Sequence, residues 1–399
     1  METSFICYGG SIAVVVKFYT EQFNVDESKY HQVKVNIKKW ILSRKVVAGQ
    51  RIPSENELSE LFGISRHTVR HAIGDLVNEG WLYREQGKGT FVQEREKRSG
   101  QETNQRAKIA VITTYLSDYI FPHIIRGIEG VVAQAGHTIS LFSTGNNIQT
   151  ERRCLETVLL EGVDGLIVEP TKSTLPNPNI DLYFLLQQRN IPFVMLHSSY
   201  VELNASLVAL DDANGTYALT RHLIGLGHRD IAGIFKQDDM QGRNRFRGFV
   251  RAHQDAHLPV AAENIVTYGT EEREVIGETF VKRVFAQGAG TGKPTAVVGY
   301  NDEIAVQVLM ALRNLDISVP KEVAVTGFDD SRLATVSGIP LTTVRHPKAE
   351  MGETAAEMLL GLMENRDSMW VPREHIFAPE IIVRESTVAD LLRPASQGI

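Results

Sequence analysis

The sequence predicts a multi-domain chain: a small basic helical module closed by a β-hairpin, then an α/β body of two parallel-sheet lobes. Three observations predict it. Charge changes sign along the chain, two capped helices and a hairpin follow one another within residues 29–93, and short β-branched runs then alternate with helices to the end of the body. The 399 residues are enough for two or three domains, and 43% hydrophobic with 23% charged is ordinary for a globular protein. Two cysteines, Cys7 and Cys154, cannot build a disulfide framework or a zinc site. No apolar run reaches the roughly 18 residues that would suggest a membrane span. A cytoplasmic protein without membrane partners is expected.

The net charge of −6 hides a split. Residues 1–28 carry −3, residues 29–98 carry +6 (14 Lys/Arg against 8 Asp/Glu), and residues 99–399 carry −9. A basic module on an acidic body suggests a polyanion-binding head attached to a domain of another kind. Residues 1–28 share no period with the helical segment after them; they read either as a disordered arm or as an extension from an upstream start codon. Residues 94–106 are almost wholly polar and read as a linker or a frayed helix end.

In the head, Val33, Ile37, Trp40 and Ile41 mark one face of a first helix. Ser54-Glu55-Asn56-Glu57 is a capping box, and the helix it opens presents Leu58, Leu61 and Phe62 before Gly63 ends it. Ser65 caps a third helix whose apolar face is Val69, Ile73, Leu76 and Val77. Two helices around a short glycine-containing turn make a helix-turn-helix. His67, Arg70, His71 and Gly74 point away from the apolar face, with Arg66 and Thr68 at the helix start, where a recognition helix meets base edges. Arginine can bridge guanine O6 and N7, and threonine can touch phosphate or a thymine methyl. Residues 80–84 and 89–92 read as strands joined by Glu85-Gln86-Gly87-Lys88, a wing whose Gln86 and Lys88 can approach the minor groove or the phosphates.

The stretch RIPSENELSELFGISRHTVRHAIGDLVNEGWLYREQGKGTFV resembles the GntR family of winged-helix regulators. Carried over, the resemblance implies double-stranded operator DNA as partner. It places Glu55, Arg66, Thr68, Arg70 and Gln86 at DNA contacts, with His67 one step from the family's most common chemistry.

The body begins with a buried strand at Lys108, and strands are expected near 138–143, 164–169, 192–196, 206–210, 230–235, 264–268, 295–299 and 322–327. Helices fall between them, at 120–135, 151–160, 213–226, 242–256, 271–286 and 302–313. Ligands of open α/β sheets sit beyond the carboxyl ends of strands. The loops there hold Tyr115, Asp118, Tyr119, Glu169, Lys172 and His197, a mixture of charged and aromatic groups suited to a polyhydroxylated ligand.

Arg126-Gly-Ile-Glu129, Asp164-Gly-Leu-Ile-Val168, Leu226-Gly-His228, Arg245-Phe-Arg-Gly-Phe249, Asn301-Asp302, Gly327-Phe-Asp329-Asp330 and Leu341-Thr-Thr-Val344 resemble the LacI/GalR effector domain. That resemblance implies a bilobed fold like the periplasmic sugar-binding proteins. It also implies Arg245 and Asp302 as effector ligands, with Tyr268 and His346 near the effector. The pairing of this body with a GntR head is similar to the arabinose-responsive repressors of bacilli. The segments that carry it are SRHTVRHAIGDLV, TTYLSDYIFPHIIRGIE and VDGLIVEPTKS, and residues 1–28 lie outside it. The resemblance implies a homodimeric repressor of carbohydrate genes released by a small sugar, L-arabinose, with another pentose or hexose as the alternative.

No catalytic set, cofactor or metal site is expected. Gly288-Ala-Gly-Thr-Gly292-Lys293-Pro294 fails as a phosphate loop, because Gln287 and Pro294 stand where Gly and Ser/Thr are required. The twelve histidines lack metal-ligand spacing. A transport binding protein would need a signal peptide and no head, and an enzyme would need catalytic groups that the sequence does not offer.

Overall fold

A computed structural model describes residues 29–93, 106–116, 119–285, 293–364 and 371–388. It divides into two compact units, with the boundary between Thr103 and Asn104. The 1–28 extension, nearly all of the 94–106 segment, Asp118 and the glycines of the 288–292 loop lie outside the described residues.

The first unit holds α1 (Lys29–Leu42), α2 (Glu55–Phe62), α3 (Arg66–Asn78), β1 (Leu82–Glu85) and β2 (Gly89–Val92). Val33, Ile37 and Trp40 of α1 are buried with Leu58 of α2 and Val69, Ile73 and Leu76 of α3, so the helical spacing converges on one core. Leu61, Phe62 and Val77 are only half-buried. Ser54 closes the full capping box: its hydroxyl accepts from the Glu57 amide, and the Glu57 carboxylate accepts from the Ser54 amide at 2.7 Å. Gly63 ends α2 at φ 62°, a left-handed conformation that costs other residues a steric clash. The antiparallel hairpin pairs Leu82 with Val92 and Glu85 with Gly89.

The second unit has two lobes. The first carries β3 (Lys108–Thr113), α4 (Phe121–Gln134), β4 (Thr138–Ser143), α5 (Ile148–Glu161), β5 (Gly165–Val168), α6 (Ile180–Gln188), β6 (Phe193–Leu196) and β7 (Ser206–Leu210). The second carries α7 (Asp212–Gly225), β8 (Ile231–Lys236), α8 (Met240–Asp255), β9 (Ile265–Tyr268), α9 (Ile276–Phe285), β10 (Ala296–Val298), α10 (Asp302–Arg313) and β11 (Ala324–Thr326). A short α11 (Leu333–Val336), β12 (Thr343–Arg345), α12 (Lys348–Glu364), β13 (Glu374–Phe377) and β14 (Glu380–Ile382) complete it.

The first sheet runs β13-β7-β6-β5-β3-β4 and the second β11-β10-β8-β9, with every pair parallel. Strands such as Gly165–Val168 are buried at every residue, as sheets covered on both faces require. The strands and helices expected from the sequence end at 327 and do not include α12 and β12–β14. These return the chain to the first lobe, where α12 packs on α4 and β13 joins the sheet edge. β12 and β14 pair antiparallel. The chain therefore passes between lobes after β7, after β11 and after β13. The helix expected from 271 begins at Ile276; Thr270–Glu272 forms a 3-10 turn instead.

Candidate functional site

All four strands of the second lobe and four of the first deliver residues to one interlobe cleft of about 770 Å³, partly open to solvent. From the first lobe come Thr114, Tyr115, Tyr119, Phe121, Asn146, Glu169, Ser173 and His197. From the second come Lys236, Asp239, Gln241, Arg245, Tyr268, Arg273, Tyr300, Asn301, Glu303 and Asp329.

Arg245 is the centre of the second-lobe wall, with 1% of its surface exposed. Its Nε donates to Asp212 at 2.8 Å, Nη1 to the Tyr300 carbonyl at 2.8 Å and Nη2 to Asp329 at 3.1 Å. The guanidinium centre lies 3.7 Å from the Phe328 ring centroid. Three of its five N–H groups are thus committed to protein. Burial pushes the Asp212 carboxyl up to about 6, against the opposing pull of Arg245.

The other charges also come in pairs. Arg273 Nε and Nη2 bind Glu303 at 3.0 and 2.8 Å, and its guanidinium sits 4.9 Å from the Tyr115 ring, reaching across the cleft. Lys236 donates to Asp239 at 2.9 Å; burial would depress its ammonium, but Asp239 and Asp238 outweigh that and raise it. Asp239 also accepts from the Tyr300 hydroxyl at 2.9 Å.

In the first lobe, Glu169 accepts from the Thr114 amide at 2.8 Å and the Thr114 hydroxyl at 2.5 Å, and bonds His197 Nδ1 at 2.9 Å. Burial depresses the His197 imidazole, but Glu169 overrides it and the net shift is upward. His197 Nε2 meets His346 Nε2 at 3.1 Å, and burial followed by His197 holds His346 well below the usual histidine range.

Of the residues expected at the effector, Tyr115, Tyr119, Glu169, His197, Arg245 and Tyr268 line the cleft. Three do not. Asp302 is fully buried behind the wall, where it accepts from the Ser331 amide at 2.6 Å and the Thr343 hydroxyl at 2.7 Å. The α10 cap is Asn301, whose side chain accepts from the Ile304 amide, and Asn301 rather than Asp302 faces the cleft. His346 stands behind His197. Lys172 lies at the rim, bonded to Glu271 at 2.5 Å and 3.7 Å from Asp238, both on the opposite lobe. Asn146, Lys236, Asp239 and Arg273 go beyond the expected set. Each follows or ends a strand, so the strand-end rule applied evenly would have found them.

The lobes are in contact across the cleft. Tyr119 donates to Asp329 at 2.8 Å, Asn146 Nδ2 to Thr270 at 2.6 Å, Thr174 to the Gln237 carbonyl at 2.8 Å, and the Met240 amide to Ser173 at 2.9 Å.

The head offers a second surface. Ser65 caps α3 by accepting from the Thr68 amide, and Arg66, His67 and Arg70 are exposed along the helix. Arg70 is held by Glu55, with Nε at 3.0 Å and Nη2 at 2.9 Å from the same carboxylate oxygen. Glu55 thus fixes the direction of the Arg70 side chain. Thr68 shares a 2.8 Å hydrogen bond with the Ser65 hydroxyl. Gln86 and Lys88 are exposed in the wing turn, where Lys88 pairs with Glu85 at 3.0 Å.

Among the described residues no His/Cys/Asp/Glu group could hold a metal, and no helix is long and apolar enough to cross a membrane.

Residues 29–92 match the model of the gntR family of bacterial regulatory proteins, and residues 220–387 match a periplasmic binding protein-like domain. The arabinose metabolism transcriptional repressor of Halalkalibacterium halodurans is 45% identical over 365 residues, covering 90% of this chain and 97% of its own. The chain belongs to that repressor family. The counterpart from Geobacillus stearothermophilus is 46% identical with the same coverage of 90% and 97%.

The repressor's fold is shared with transcription regulator CcpA of Lactococcus lactis, at a TM-score of 0.62 and 22% identity over 71% of this chain and 100% of that one. It is shared too with the transcriptional regulator CelR in its cellobiose complex, at a TM-score of 0.61 and 21% identity over 84% and 100%. These relatives and neighbours are transcriptional regulators, not enzymes. The repressor is a sugar-responsive DNA-binding protein with a winged head and a bilobed α/β body.

Proposed function

We propose that the repressor binds palindromic operator DNA as a homodimer through residues 29–93 and is released when L-arabinose enters the cleft of residues 107–392. The observation that carries the sugar site is the cleft wall itself. Its charged groups are paired with one another, so they present hydrogen-bonding edges while their charges are balanced. Tyr115, Phe121, Tyr268 and Tyr300 supply ring surface for the apolar face of a pyranose. Glu169, Asp239, Arg245, Arg273 and Glu303 are the groups assigned to its hydroxyls. Arg66, Arg70 and Thr68, with His67 beside them, are assigned to base edges and phosphates, Gln86 and Lys88 to the wing contact, and Glu55 to holding Arg70.

Calorimetric titration of L-arabinose and a panel of pentoses and hexoses, with and without operator DNA, tests the proposal. The expected result is one sugar bound per chain, more weakly when operator is present. Tight binding of a different sugar would reassign the effector, and no sugar binding at all would remove the cleft from the mechanism.

A further inference from the structure

The first lobe contains a buried polar cluster behind the cleft wall. Glu151, in the first turn of α5, has no exposed surface. Its Oε1 accepts from the Tyr183 hydroxyl at 2.8 Å and the Tyr200 hydroxyl at 2.6 Å. Its Oε2 accepts from the side-chain amides of Asn177 and Asn179, each at 2.8 Å. A first-turn acid needs none of this to favour its helix, and an exposed position would serve the helix dipole as well. Four neutral donors converging on one buried carboxyl group make a node whose geometry is fixed from several elements.

What the node fixes is the rim segment between β5 and α6. Tyr200 also accepts from the Thr171 amide at 2.7 Å, and Asn177 and Asn179 lie at the far end of the same segment. Between these anchors stand the residues that touch the opposite lobe: Lys172 on Glu271, Ser173 on the Met240 amide and Thr174 on the Gln237 carbonyl. Lys172 holds φ at 43°, so the segment is bent where it meets the other lobe.

We infer that Glu151 is a positioning residue for the effector site. Acting through Tyr200 and the two asparagines, it presents residues 172–174 in the geometry that latches the lobes shut. It touches no ligand. The inference rests on the reading of the cleft as the sugar site, because only then does closure of the lobes alter effector affinity.

Tyr183 and Tyr200 separate positioning from packing. Both donate to the same oxygen of Glu151, but Tyr200 alone connects it to the rim backbone, while Tyr183 belongs to α6. The full-length protein and its E151Q, Y200F and Y183F variants are titrated with L-arabinose, and amide hydrogen exchange is followed without sugar over residues 237–241. Y200F and E151Q are expected to weaken arabinose binding about tenfold and to speed exchange at Met240. Y183F is expected to lower thermal stability comparably while staying within about twofold of the parent in affinity, with exchange at Met240 unchanged.

Equal effects of Y183F and Y200F on affinity and exchange would reduce Glu151 to a core residue, as would parental behaviour of E151Q and Y200F. Absence of arabinose binding by the parent would overturn the effector reading instead, and the exchange comparison would still decide whether Glu151 governs the rim.

Discussion

Arg245 is a buried side chain that joins two carboxylates and also borders the cleft. Arg245→Ala would leave Asp212 and Asp329 facing each other without a cation, a loss of about 3–5 kcal/mol for a broken buried pair. Arg245→Lys keeps a charge but loses the planar fork. We expect at least about a tenfold loss of sugar affinity in calorimetry, near 1.4 kcal/mol, with operator binding intact. Asp302 makes a different prediction. Burial, and then the neighbouring Asp329, push its carboxyl up to about 7. With its folded value above its unfolded one, the protonated form favours the fold, and that contribution is lost as pH rises from about 4 to about 7. Melting curves over this range should fall with a slope of up to about 1.4 kcal/mol per pH unit from this group, and Asp302→Asn should flatten them. A D302N curve as steep as the parent's would assign the slope elsewhere, Asp212 being the next candidate.

At the level of elements, the helix α12 decides the packing of the first lobe. A Cβ on Gly352 would lie 2.1 Å from the Ile124 carbonyl oxygen, and one on Gly127 would lie 2.3 Å from that of Ala349. The two helices cross backbone to backbone. Gly352→Ala should therefore cost about 1–3 kcal/mol by overpacking, read as a lowered denaturant midpoint, whereas an alanine tolerated there would mean the helices can separate. In the head, α3 carries the exposed arginines on a frame that does not depend on them. Arg66→Ala should abolish specific operator binding in a fluorescence-anisotropy titration and leave arabinose affinity unchanged. Loss of both would contradict the division of labour between the units.

For the whole molecule, coupling between sugar and DNA must be reciprocal. If arabinose weakens operator binding tenfold, operator must weaken arabinose binding by the same factor, about 1.4 kcal/mol of coupling. Titrations in both directions check this, and unequal factors would mean that a third equilibrium, such as dimer dissociation, intervenes.

Much of this was legible in the residues. Capping boxes, helical periodicity and β-branched runs are local signals, so the head and most of the alternating body could be read in order. Arg245 and Tyr268 could be placed at the cleft from motif resemblance, and Tyr115, Tyr119, Glu169 and His197 from strand ends. The return of α12 and β13 to the first lobe was not legible, since strand partnership across more than 150 positions leaves no local pattern. Nor was the difference between Asn301 and Asp302, adjacent residues at one helix start. The backbone there turns the cap toward the cleft and the carboxylate into the protein, where the Ser331 amide and Thr343 hydroxyl satisfy it. The sequence by itself determined which chemical groups sit at the ends of which strands. Tertiary structure alone decided which of them face the cleft and which stand behind it, because that depends on hydrogen-bond partners brought from distant segments of the chain.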